Sequence, residues 1–216
     1  MKPMSILLGA CALTLAAAAA VPFTATPAFA APAAAAAPAS PKLHATMREL
    51  WQGHAETTRD YAMAVKAGDA AAQKKATDAV VANAKKIADA VGSFYGDAAG
   101  KKTLELLAGH WGGVKALTDA QKAGDAAGVS KAMQDLSANA DEIAKFFSGA
   151  NPNLPESAVK GLFVTHAAHH HALTGEIMKG DKAAADKTWA AMQAHMNTIG
   201  DAFSDGIAKQ FPAKAA

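Results

Sequence analysis

Three stretches decide the fold of this chain: HAETTRDYAMAVKAGD at residues 54–69, HWGGVKALTDAQKAGD at 110–125 and HAAHHHALTGEIMKGD at 166–181. Each begins with a histidine and closes on Gly-Asp, and His54, His110 and His166 are spaced 56 residues apart. The same spacing relates Ile87, Ile143 and Ile199, and a further polar column, Asn83, Asn139 and His195. The sequence therefore reads as three copies of one unit, at about 43–98, 99–154 and 155–210.

Within a unit the apolar residues recur three or four apart, the stripe of an amphipathic helix rather than the alternation of a strand. Leu43, Met47, Leu50, His54, Tyr61 and Val65 form the first stripe; Val80, Ala84, Ile87, Val91 and Phe94 form the second. Leu107, His110, Val114 and Leu117 repeat the first in unit two, as do Leu162, His166, Leu173 and Ile177 in unit three. Gly68, Gly124 and Gly180 are placed to end a helix in the left-handed conformation, and Asp69, Asp125 and Asp181 to cap the next one. Gly96-Asp97 and residues 149–155 break the chain between units. The expectation is an all-α domain over 42–212, built from six antiparallel helices as three hairpins in a helical bundle.

Ahead of it, Met1-Lys2, the apolar run Ile6 to Ala20 and Ala28-Phe29-Ala30 have the pattern of a secretory signal peptide cleaved after Ala30. A lipoprotein box at Leu8-Gly9-Ala10-Cys11 is the rival reading. Residues 31–41 form an Ala/Pro-rich tether. Cleavage after Ala30 removes Cys11, the one cysteine, so the exported chain has neither disulfide nor thiolate chemistry. Periplasmic or secreted localisation follows as an expectation. Without Lys2, 20 basic residues face 19 acidic ones. That balance gives no basic patch for nucleic acid and no reason to expect stable membrane insertion after cleavage.

Counting from the turns places the polar residues. His54 precedes Gly68 by as many residues as Asn83 follows Asp69, and the same holds for His110 with Asn139 and His166 with His195. In an antiparallel hairpin, equal distance from the turn is equal height, so all six should share one layer. A buried polar group without a partner costs about 1–3 kcal/mol, so each must be satisfied. One reading pairs each His with its Asn as a register-setting hydrogen bond. The other makes the layer a site for a transition metal ion (Zn, Cu, Fe or Ni) or a small molecule, with His54, His110, His166, His170 and His195 as metal ligands and Asn83 and Asn139 as ligand-binding residues. Unit three carries the extra histidines His169, His170 and His171, and His166 and His170 stand four apart, the spacing that aims two side chains at one partner. His171 should point away. Met192 and Met196 flank His195, where core filling competes with softness toward copper.

Catalytic signatures are missing. There is no H-E-x-x-H, no Glu-x-x-His pair of a carboxylate-bridged di-iron bundle, no C-x-x-C-H and no Gly-rich phosphate loop. Enzyme activity is not expected on these grounds; acid–base chemistry by the His/Asn layer is the third reading, behind ligand binding and a structural or interaction role.

Residues 139–144 (NADEIA), 147–152 (FSGANP) and 206–212 (GIAKQFP) resemble a family of small bacterial exported helical proteins with no established activity. The resemblance extends over most of Leu43 to Pro212. It implies histidine at 54, 110, 166 and 195 and asparagine at 83 and 139 as a family feature, whereas the run 169–171 lies outside that pattern.

Overall fold

A computed structural model describes residues 40–216. The signal-peptide, lipoprotein-box and Cys11 readings, and the tether up to residue 39, lie outside the described residues. Within them the chain is all-helical: α1 (Pro41–Ala67), α2 (Ala70–Tyr95), α3 (Asp97–Ala123), α4 (Ala126–Ala150), α5 (Glu156–Lys179), α6 (Lys182–Gln210) and the short α7 (Pro212–Ala215). None of these helices is long and apolar enough to cross a membrane.

The turns work as the glycines require. Gly68, Gly124 and Gly180 have φ of 72°, 70° and 76°, a left-handed conformation that costs residues with a Cβ. Each donates its amide back to the helix it ends, Gly68 to Val65 O at 3.2 Å. The aspartate that follows then caps the next helix. Asp69 accepts from the amides of Ala71 and Ala72, Asp125 from Gly128 and Asp181 from Ala184. Two residues thus end one helix and start another, which forces the two to pack side by side.

The helices close on themselves. Each of α1 to α6 packs against its neighbours in sequence, and α6 packs back on α1. In addition α1, α3 and α5 touch one another, so these three line the axis while α2, α4 and α6 lie outside them. A clasp fastens the closure: Arg48 on α1 donates to both carboxylate oxygens of Asp201 on α6, at 2.7 and 2.6 Å. His44 bridges Asp201 and Asp205, with a ring nitrogen 3.0 Å from each.

Among the described residues a seventh, four-residue helix follows the six expected ones. Phe211 interrupts α6 and packs edge-on against Tyr95, with ring centroids 5.1 Å apart, and the chain then turns once more as α7. Ala215 at its end is buried.

Candidate metal centre

The first-helix histidines lie on the inner face of the axial helices, where the helical stripe directs them. His54 comes from α1, His110 from α3, and His166 and His170 from α5. All four are buried, at 0–2% exposure. Each offers a ring nitrogen, and these four nitrogens lie within 4.8 Å of one another. The rings of His54, His110 and His166 are 5.3–5.8 Å apart by centroid. Nε2 of His166 is 3.0 Å from Nε2 of His170, one helical turn along α5. Four buried histidines are thus close enough to hold a metal ion.

Their surroundings are apolar. Trp51 lies edge-on to His54 at 6.1 Å, and Phe163 edge-on to His110 at 6.3 Å. The nearby threonines have partners other than the rings: Thr58 donates to His54 O on its own helix, and Thr174 bonds His170 O and the side-chain oxygen of Gln121 on α3. Both ring nitrogens of His54, both of His110 and Nδ1 of His166 find no hydrogen-bond partner among the described residues. Burial disfavours the charged imidazole, and it is the main force on all four. It pushes His54 down to about 3, with the neighbouring His110 adding to the effect. His110 goes down to about 4, burial prevailing over the opposing pull of the Asn139 amide. His166 and His170 are held well below the ordinary histidine value by burial first and by the other rings second. Four neutral imidazoles face one another, which is the protonation state that binds metal.

The outer column does something else. Asn83 on α2 donates to Leu50 O at 3.0 Å, Asn139 on α4 to Leu106 O at 3.0 Å, and His195 on α6, through Nε2, to Leu162 O at 2.9 Å. Each acceptor precedes an axial histidine by one helical turn. The nitrogen of each amide thus goes to a backbone carbonyl rather than to a histidine ring, and its Oδ1 is left over. A glycine makes the space: a Cβ on Gly53 would stand 3.0 Å from Nδ2 of Asn83, and one on Gly109 3.2 Å from Nδ2 of Asn139. Fifty-six residues beyond Gly109 stands Thr165, as His195 stands 56 beyond Asn139.

Of the sequence-predicted ligands, then, His54, His110, His166 and His170 come together, and His195 stays outside the group. Its ring lies 6.5 Å from His166 and 5.2 Å from His169. Asn83 and Asn139 are half-buried beside the group, their Oδ1 atoms without a partner among the described residues. His171 is exposed, as its helical position requires. Met192 and Met196 are fully buried in the hydrophobic core. The carbonyl role of the outer column was missed from sequence, although the pairing of Gly53 with Asn83 and Gly109 with Asn139, against Thr165 with His195, is a signal that carries it.

No protein family, curated protein or solved structure matches this chain.

Proposed function

We propose that this chain is an exported helical-bundle protein that binds one transition metal ion through His54, His110, His166 and His170, in a role of binding, buffering or sensing rather than catalysis. The observation that carries this reading is the unpaired nitrogen set. Donors from three helices converge in an apolar interior, and most of their ring nitrogens have no bond among the described residues. Leaving them so costs about 1–3 kcal/mol per group, a large share of the roughly 5–15 kcal/mol that holds a domain together. Coordination removes that cost. Imidazole nitrogen suits zinc, copper, iron or nickel, and a set without carboxylate disfavours calcium or magnesium.

The three 56-residue units, read as duplicated hairpins, explain why one helix of each supplies a histidine to the same level. A purely structural layer is the second reading. The bonds of Asn83, Asn139 and His195 to backbone carbonyls favour it for those three residues.

The test is metal content and melting temperature of the purified protein, with and without chelator, alongside His54→Ala, His110→Ala and His166→Ala. One ion per chain should bind and raise the melting temperature by linkage, and the substitutions should abolish that rise. Absence of uptake of any of the four metals would overturn the reading. N-terminal sequencing of the protein recovered outside the cytoplasm tests export, with Ala31 expected first.

A further inference from the structure

The outer column shows a pattern of paired loose ends. Asn83 and Asn139 each use their one amide group in two ways. Nδ2 is committed to a carbonyl on the neighbouring axial helix, which fixes the orientation of the amide. Oδ1 must then face the other way, and in both residues it is buried and accepts no hydrogen bond among the described residues. The amides lie against Gly53 and Gly109, and the rings of the next residues, His54 and His110, likewise have nitrogens with no partner among the described residues. His195 repeats the arrangement with different atoms. Its Nε2 carries the hydrogen donated to Leu162 O, so its Nδ1 holds a lone pair, the counterpart of an asparagine Oδ1. The ring of His166, 6.5 Å away by centroid, has a buried Nδ1 with no partner among the described residues.

An amide and a neutral imidazole share one property relevant here: each carries a donor nitrogen and a separate acceptor atom. That explains why the third unit can replace Asn with His at position 195 without losing either function. The replacement keeps the carbonyl bond and keeps an acceptor facing the layer.

We propose, resting on the metal reading above, that Asn83, Asn139 and His195 form the outer shell of the metal site, each accepting a hydrogen bond from Nδ1–H of His54, His110 or His166 so that Nε2 of that ring is free to coordinate. An outer-shell acceptor of this kind fixes tautomer and ring orientation and raises the basicity of the ligand nitrogen. The proton balance is simple. Without metal, one proton lies between Nε2 of His166 and Nε2 of His170. Coordination at both nitrogens moves that hydrogen to Nδ1 of the ring that carried it. No proton is released in the shift, and on His166 the acceptor for it is Nδ1 of His195. These three residues touch no ion; they are positioning residues.

The donor and acceptor roles of Asn139 are separated by three variants, with zinc as the probe. Asn139→Leu removes both, Asn139→Asp keeps only the acceptor, and Asn139→His mimics the third unit. Zinc affinity should fall about 10- to 100-fold in Asn139→Leu. It should be kept or tightened in Asn139→Asp even though the zinc-free melting temperature falls with the lost carbonyl bond. Asn139→His should bind like the parent. Nitrogen NMR of the zinc-loaded parent should show His54, His110 and His166 as Nδ1–H tautomers. Equal loss of affinity in the Leu and Asp variants, unchanged affinity in Leu, or an Nε2–H tautomer for His110 would each overturn the proposal. The tautomer measurement decides the matter should Asn139→Leu not fold. A parent protein that takes up no zinc or other metal would instead sink the metal reading itself, a result distinct from any of these.

Discussion

Nε2 of His166 and Nε2 of His170 stand 3.0 Å apart in the middle of the bundle, both on α5 and both buried. Neutral imidazoles at that distance share one hydrogen, which gives this pair the one ring-to-ring bond within the group. His54 and His110 have none. The four rings therefore fall into two energetic classes, a difference that mutation can expose.

His54→Leu should leave the metal-free protein as stable as the parent or raise its stability by about 1 kcal/mol, because it replaces two unpaired buried nitrogens by hydrocarbon of similar volume. His170→Leu should do worse, since it strands Nε2 of His166 at a cost of about 1–3 kcal/mol. Urea unfolding with excess chelator measures both. A His54→Leu protein destabilised by more than about 1 kcal/mol would show that the ring has a structural role.

Acid should unfold the metal-free protein early. In the unfolded chain histidine titrates near its ordinary value of 6.5, whereas burial pushes His54 to about 3 and His110 to about 4. Between these values the unfolded state binds more protons, so stability is complete above about pH 6.5 and falls as pH drops toward 3–4. Each ring contributes a slope of about 1.4 kcal/mol per pH unit, so these two alone remove about 4 kcal/mol by pH 5. His166 and His170 shift in the same direction and add to the loss. Stability measured from pH 8 to pH 4 should show this decline. A flat profile would mean that the rings already carry protons or reach water.

The clasp between α1 and α6 should contribute modestly. The carboxyl group of Asp201 is held below its usual range, chiefly by its bond to Arg48. Its favourable effect is present above the ordinary carboxylate value and is lost as pH falls through the lowered one. Both partners are partly exposed, Arg48 at 50% and Asp201 at 32% of the side chain, so water screens the pair. A double-mutant cycle of Arg48→Ala and Asp201→Ala should give a small coupling that shrinks in 1 M salt. A large coupling that persists in 1 M salt would mark the clasp as a main determinant of ring closure.

Two glycines should respond with opposite sign to the same change. Gly68 sits at φ 72°, so Gly68→Ala should destabilise by about 1 kcal/mol. Gly112 is exposed within α3 and an added Cβ would meet nothing within 4 Å, so Gly112→Ala should stabilise by about 0.5–1 kcal/mol. Thermal melts of the two variants compare them directly.

The helices and their turns were legible in the sequence because both depend on local chemistry. Apolar residues three and four apart specify a buried face, and Gly68-Asp69 specifies a stop and a start within two residues. The level of each histidine followed from counting along helices of fixed rise. The short α7 was not legible, since it depends on Phe211 finding Tyr95 at the far side of the chain. Nor did the sequence decide whether its helices close into a ring or extend as an open stack. That depends on α6 meeting α1, through residues such as Arg48 and Asp201 that are 153 positions apart. Closure is what makes α1, α3 and α5 axial and brings His54, His110, His166 and His170 to one point. It also places Asn83, Asn139 and His195 behind them. The helical period fixes which face a residue occupies and at what height; which faces then meet is set by packing between distant segments, and no local rule contains it.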